Sequence, residues 1–232
     1  MALIKFGGGV VGMAGSIAGT TFARNRYGSY ARSRTKPVNP NSGLQQLVRS
    51  TLSQLTTRWS LTLTDDQRIA WNMYGANVVM KNRLGESMNL TGFNHYLRSN
   101  SNLVRLGLPA VDDGPEVFEL PDADPLFSAT ISEATQNITA VYDDTLAWDN
   151  ETGGMLFMFQ GSPQNPQRNF FAGPWRLWTA VQGADGAPVA SPKIAPAVFA
   201  VAELQRVWLY ARILRADGRL SEPFRADCFV DA

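Results

Sequence analysis

Apolar residues recur at helical spacing over residues 43–62. Leu44, Val48, Leu52, Leu55 and Trp59 stand four, four, three and four positions apart, one stripe of an α-helix that Asn41 or Ser42 can cap. A second helix is predicted from Thr64, where Thr64-Asp-Asp-Gln67 forms a capping box and two acids face the positive end of the dipole. Its expected buried stripe is Ile69, Met73, Ala76 and Met80, flanked by Trp71 and Tyr74, with a stop near Asn82 before Gly85. A third helix is predicted from Thr91 to about Leu106, ended by Gly107 and Pro109. Beyond residue 126 the pattern changes to short β-type runs: Phe127–Ile131, Ile138–Tyr142, Met155–Phe159, Leu177–Val181, Ala197–Val201, Val207–Leu214 and Phe224–Val230. The Met155–Phe159 run is continuously apolar, as in a strand buried on both faces. An Asp217-Gly218 turn joins the last two runs.

Two segments lack either period. Residues 1–42 hold glycines at 7, 8, 9, 12, 15, 19 and 28 and prolines at 37 and 40, and read as an extended arm that is mobile until something holds it. Residues 108–126 carry four prolines and six acids without a base, and read as a stiff solvated linker. The predicted organisation is therefore α+β: an extended Gly/Arg-rich N-terminal arm (1–42), a small three-helix domain (43–107), the acidic linker (108–126) and a C-terminal antiparallel β-sandwich (127–232).

Charge sharpens the picture of the arm. The formal net charge of the 232 residues is only +1, yet residues 1–64 carry eight bases and no acid. Residues 65–126 carry five bases and nine acids, and residues 127–232 eight bases and eleven acids. Such asymmetry points to an arm that meets an acidic surface. Its candidate partner-binding residues are Lys5, Phe6, Phe22, Arg24, Arg26, Tyr27, Tyr30, Arg32, Arg34 and Lys36, which combine the Arg and aromatic types that anchor interfaces. Arg and Tyr can also clamp phosphates and stack on bases, but no second basic segment supports this one, which disfavours a dedicated nucleic-acid binder.

Little else carries chemistry. One Cys and one His exclude an intrachain disulfide framework and any cysteine-rich or histidine-cluster metal site. No apolar run approaches the roughly 18 residues of a membrane span. Gly7-Gly-Gly9-Val-Val-Gly12 fits the G-x-G-x-x-G pattern, but the glycines continue beyond it and no acid precedes Asp65 to bind a ribose. His95 stands without a Ser or Cys partner, and Asp65-Asp66, Asp112-Asp113 and Asp143-Asp144 read as a cap, a linker and a turn. Trp59 and Trp71 read as core anchors, while Trp175 and Trp178 could face a partner or a glycan. Three N-x-T sequons, at Asn89, Asn137 and Asn150, come with no secretory signal. The expectation is a protein that is not an enzyme, with no cofactor and no metal.

Two resemblances give that expectation a direction. The long strand with Trp208 and Tyr210, the Asp-Gly turn and the short return strand resemble the closing hairpin of fibronectin type III and immunoglobulin-like domains. The stretch Gly15-Ser-Ile-Ala-Gly19-Thr-Thr-Phe22-Ala-Arg24-Asn-Arg26-Tyr27-Gly28 is the second. With Lys36-Pro37-Val-Asn39-Pro40-Asn, Trp59, Leu63-Thr64, Arg68 and Trp71, it resembles an uncharacterised group of proteins encoded in tailed phages and prophages, often among virion genes. That resemblance covers about the first hundred residues and brings no catalytic residues with it. It implies a virion structural protein made in the host cytoplasm, expected as a head decoration or cement protein on the major coat protein lattice. A tail or neck component and an internal genome-contacting protein are the alternatives. Its partners would be the coat protein, other virion proteins or further copies of itself.

Overall fold

The structure, a computed structural model, describes residues 2–82 and 84–232. Residue 1 of the expected arm lies outside the described residues. The remainder of the arm differs from expectation. It forms four strands, β1 (Ala2–Ile4), β2 (Gly15–Ile17), β3 (Thr20–Asn25) and β4 (Gly28–Ser33), in one antiparallel sheet of order β1-β4-β3-β2. Glycines build its corners: Gly19 and Gly28 take φ of 81° and 122°, which side-chain-bearing residues rarely adopt. Residues 34–42 have no regular structure.

Helix α1 spans Gly43–Leu61, α2 Asp65–Asn77 and α3 Gly92–Arg105. The capping box is present: Thr64 Oγ1 accepts from the Gln67 amide, and Gln67 Oε1 accepts from the Thr64 amide. Thr91 caps α3 through its bond from the Asn94 amide. The end of α2 departs from expectation: it stops at Asn77, and a hairpin of β5 (Val79–Lys81) and β6 (Ser87–Asn89) follows.

The buried faces of α1 and α2 also differ from the predicted ones. In α2, Trp71, Tyr74 and Gly75 are buried, whereas Ile69 and Met73 are 54% and 53% exposed. Two aromatics bury more area than the Ile/Met stripe, and glycines let the backbones meet to receive them. A Cβ on Gly92 would lie 2.5 Å from the Trp71 carbonyl carbon, and one on Gly75 would lie 2.7 Å from the Leu90 carbonyl oxygen. In α1 only Thr51 and Leu55 are buried, so Leu44, Val48 and Leu52 of the predicted stripe stand exposed. The helical core is Leu55, Leu63, Trp71, Tyr74, Val78 and Tyr96.

Residues 108–126 hold to this core rather than standing off as a solvated spacer. Asn100 exchanges two hydrogen bonds with the Val111 backbone, Trp71 Nε1 donates to the Asp112 carbonyl at 2.9 Å, and Pro115 and Asp124 are buried.

Seven strands make up the rest: β7 (Ser128–Ser132), β8 (Asn137–Val141), β9 (Met155–Gly161), β10 (Trp175–Gln182), β11 (Lys193–Pro196), β12 (Arg206–Leu214) and β13 (Phe224–Asp231). Six match the predicted runs; β11 lies four residues before the expected Ala197–Val201. The order is β10-β9-β12-β13-β7-β8-β11. All pairings are antiparallel except the short β13–β7 contact at Val230–Ile131 and Asp231–Ser132. The main core joins both ends of this order, with Ile131, Ile138 and Ala140 packed with Leu156, Met158, Leu209 and Ala211. Strand β9 is buried on both faces, as its composition predicts. Leu156 and Met158 point into the main core, while Met155, Phe157 and Phe159 meet Leu103 of α3, Leu108 and Val111. The helical and β units thus share a buried layer.

Candidate interaction surface

A β-sheet reaches stability by burying at least one face. The N-terminal sheet has not done so: among the described residues, none from 2 to 42 is buried. Pairing fixes which side chains share a face. Because Phe22 faces Ala31 and Gly15, and Ile4 faces Ser29, one face collects Ile4, Ile17, Phe22 and Arg24. The other collects Leu3, Thr21, Ala23, Tyr30 and Arg32. Each face is a mixture of apolar and cationic groups, and the sheet holds no acid. The β1–β2 connection adds an apolar tip, where Val11 is 98% exposed.

The ten residues singled out from sequence are therefore not one cluster. Phe22 and Arg24 share one face, and Tyr30 and Arg32 the other. Arg26 and Tyr27 sit in the β3–β4 turn, Lys5 and Phe6 follow β1, and Arg34 and Lys36 lie in the connection to α1. Two side-chain contacts tie the sheet to the body. The Asn94 amide of α3 donates to Tyr27 Oη at 2.9 Å, and Lys5 Nζ donates to Glu86 Oε1 at 2.6 Å. The second bond raises the Lys5 pKa and lowers that of Glu86, but both groups are open to water. Tyr27 and Lys5 thus hold the sheet in place, while Arg24, Arg26, Arg32, Arg34 and Lys36 are exposed.

The surface continues onto α1. Its first three turns present Leu44, Leu47, Val48 and Leu52 outward. Beside them lies a cleft of about 540 Å³ lined by Pro40, Leu44, Val48, Arg49, Arg105 and Arg176 among others, with three arginines and no acid. Arg49 is held by Asn39 at 2.8 Å. Arg105 and Arg176 come from α3 and β10, and sequence reading missed them because only the docking of the two units brings them here.

The other candidates resolve as structural. Trp175 packs edge-on against Phe171 and Tyr210, and Trp178 packs on the main core and donates to the Pro196 carbonyl. His95 is buried against Tyr74, with ring centroids 4.9 Å apart, and burial together with Arg98 lowers its pKa to about 4. Gly7–Gly12 lies in the exposed β1–β2 connection, and beyond their chain neighbours no described atom comes within 4 Å of a Cβ placed at Gly7, Gly8, Gly9 or Gly12. No group of three or more His, Cys, Asp or Glu among the described residues could hold a metal ion. No helix among them is long and apolar enough to cross a membrane. No protein-family model matches the chain, and no curated protein matches it.

Proposed function

We propose that this chain is a structural component of a tailed-phage virion, a head decoration or cement protein that binds the coat lattice through its N-terminal sheet and the start of α1. One observation carries the reading: a four-stranded sheet has no fully buried residue on either face among the described residues, is rich in Arg and aromatic residues and is free of acid. Ordering its backbone costs roughly 1–2 kcal/mol per residue, and the sheet buries too little within its own chain to offset that. A partner that covers it supplies the missing burial, and the residue types it offers are those of interface anchors. The seven-stranded unit fits the same role. Its seven strands can be named A, B, C, C′, E, F and G, and the order C′-C-F-G-A-B-E with a short parallel G–A contact supports reading it as a fibronectin type III-like sandwich. Phage head and tail proteins often carry such domains, and about the first hundred residues resemble an uncharacterised group of proteins encoded in tailed phages and prophages, often among virion genes.

The test is direct. Purified protein is added to coat-only particles, which are then imaged. Density for the β unit at regular lattice positions is the expected result. Protein that sediments apart from the particles even at low salt overturns the reading.

A further inference from the structure

The molecule carries a second uncovered surface of opposite charge. On α2, Asp66, Ile69 and Met73 lie three and four positions apart and share one face. Ile69 and Met73 are both more than half exposed. Residues 113–119 run alongside and expose Glu116, Val117, Phe118 and Glu119. Between them is a cleft of about 400 Å³ whose lining combines apolar Ala70, Met73, Pro115 and Phe118 with the carboxylates of Asp66, Asp113 and Glu116. No base lines it. The backbones that shape it are tightly set, since a Cβ on Gly114 would lie 2.5 Å from the Trp71 amide nitrogen.

We infer that this cleft is the receptor for the N-terminal sheet of a second copy of the chain, so that copies join head to tail. The chemistry of the two surfaces is reciprocal. The Ile4/Ile17/Phe22/Arg24 face offers apolar groups and a cation with an aliphatic stem, and Arg26 lies exposed at the adjacent turn. The cleft offers apolar groups together with carboxylates, the combination that takes an Arg stem flat and pairs its head. Residues 1–64 are wholly basic and residues 65–126 are the most acidic part of the chain, so each copy carries both partners of the contact. Within one copy they do not meet. The sheet is tied to Glu86 and Asn94, and no sheet residue lines the cleft. Two different patches on one molecule make a heterologous contact, which propagates into a ring or an open array. The Leu3/Tyr30/Arg32 face and the α1 cleft remain free for the coat.

This inference rests on reading the sheet as an attachment element, and the experiment separates the two by leaving particles out. The full chain and two variants are compared by sedimentation velocity at low salt, with circular dichroism to verify folding. Arg24→Ser/Arg26→Ser spoils the sheet, and Asp66→Lys/Glu116→Lys spoils the cleft; all four positions are exposed. The full chain associates beyond a dimer, and each variant alone sediments as a monomer. An equimolar mixture of the two variants forms dimers and nothing larger, because one intact sheet meets one intact cleft. A monomeric full chain, self-association that survives either variant, or a mixture that stays monomeric overturns the inference. Binding to coat-only particles, measured on the cleft variant, then reports on the attachment reading by itself.

Discussion

Arg58 of α1 holds Asp112 with both arms of its guanidinium, Nε to Oδ1 at 2.7 Å and Nη2 to Oδ2 at 2.5 Å. The pair fastens the segment after α3 across the helical core, beside the bond from Trp71 Nε1 to the Asp112 carbonyl. Two-pronged geometry makes it stronger than a single surface contact, while partial exposure of both side chains screens it. A double-mutant cycle of Arg58→Ala and Asp112→Ala is expected to give a coupling of about 1 kcal/mol in urea unfolding. A coupling indistinguishable from zero shows that the segment is held by its other bonds, from Trp71, Asn100 and Gln67.

The α2–α3 crossing makes a sharper demand. Gly92 has no room for a Cβ, since backbone and side-chain atoms of Trp71 and Asn72 stand 2.5–2.6 Å from where it would lie. Gly92→Ala forces the two helices apart and is expected to cost about 1–3 kcal/mol, read as a lowered thermal midpoint. Gly12→Ala, where nothing lies within 4 Å, is the matched control and should leave the midpoint in place. Equal midpoints for the two variants exclude close packing as the role of Gly92.

The single histidine gives the fold a pH dependence. Burial first, and Arg98 second, lower the His95 pKa from its ordinary 6.5 to about 4. The folded state therefore keeps His95 neutral over a range where the unfolded chain binds a proton. Its contribution is complete above pH 6.5, falls as pH drops from 6.5 toward 4, and levels off below that. The full loss is at most about 3 kcal/mol, less whatever solvent screening removes. Between pH 6.5 and 5 few carboxylates titrate, so urea midpoints should fall with pH in the parent protein and run flatter in His95→Gln. Parallel slopes refute the assignment.

These positions show what the chain makes legible. Local signals were sufficient for the capping box at Thr64, the Thr91 cap, the extent of α1 and six of seven strands in the β unit, because each depends on near neighbours in sequence. The face of a helix does not. Ile69 and Met73 have ideal spacing, yet Trp71 and Tyr74 take the core because Gly75, Gly92 and Gly114 let other backbones approach that side. The N-terminal sheet left no readable alternation, since neither face is buried and polar and apolar residues fall on both. The β5–β6 hairpin was hidden because helix-compatible residues run on through Met80. Of the candidate site, the basic and aromatic residues could be found from composition, but their division between two faces required the register.

Cys228 is the only thiol. Burial, reinforced by Asp227 and Asp231, pushes its pKa up to about 12. Only the thiolate reacts with alkylating agents, so native Cys228 should be modified at pH 8 roughly a hundredfold more slowly than in urea. Timed iodoacetamide labelling followed by mass measurement checks this. Comparable rates in the two conditions show that the β12–β13 layer opens readily.

Removal of residues 1–42 tests where attachment resides. All three buried clusters use residues from Leu55 onward, and the two side-chain ties from the sheet, Lys5–Glu86 and Tyr27–Asn94, are peripheral. A chain beginning at Gly43 should therefore fold with an unfolding midpoint close to that of the full protein. It should lose binding to coat-only particles, because Tyr30, Arg32, Arg34 and Lys36 go with the sheet. Salt should act differently from truncation. Raising ionic strength shortens the Debye length from about 10 Å at 0.1 M to about 3 Å at 1 M and weakens the cationic contacts. Leu3 and Tyr30 are indifferent to that change, so the full chain should retain measurable binding at high salt while the truncated chain shows none at any salt. If the truncated chain binds as tightly as the full one, the sheet is incidental and the β unit or the helices must carry the contact.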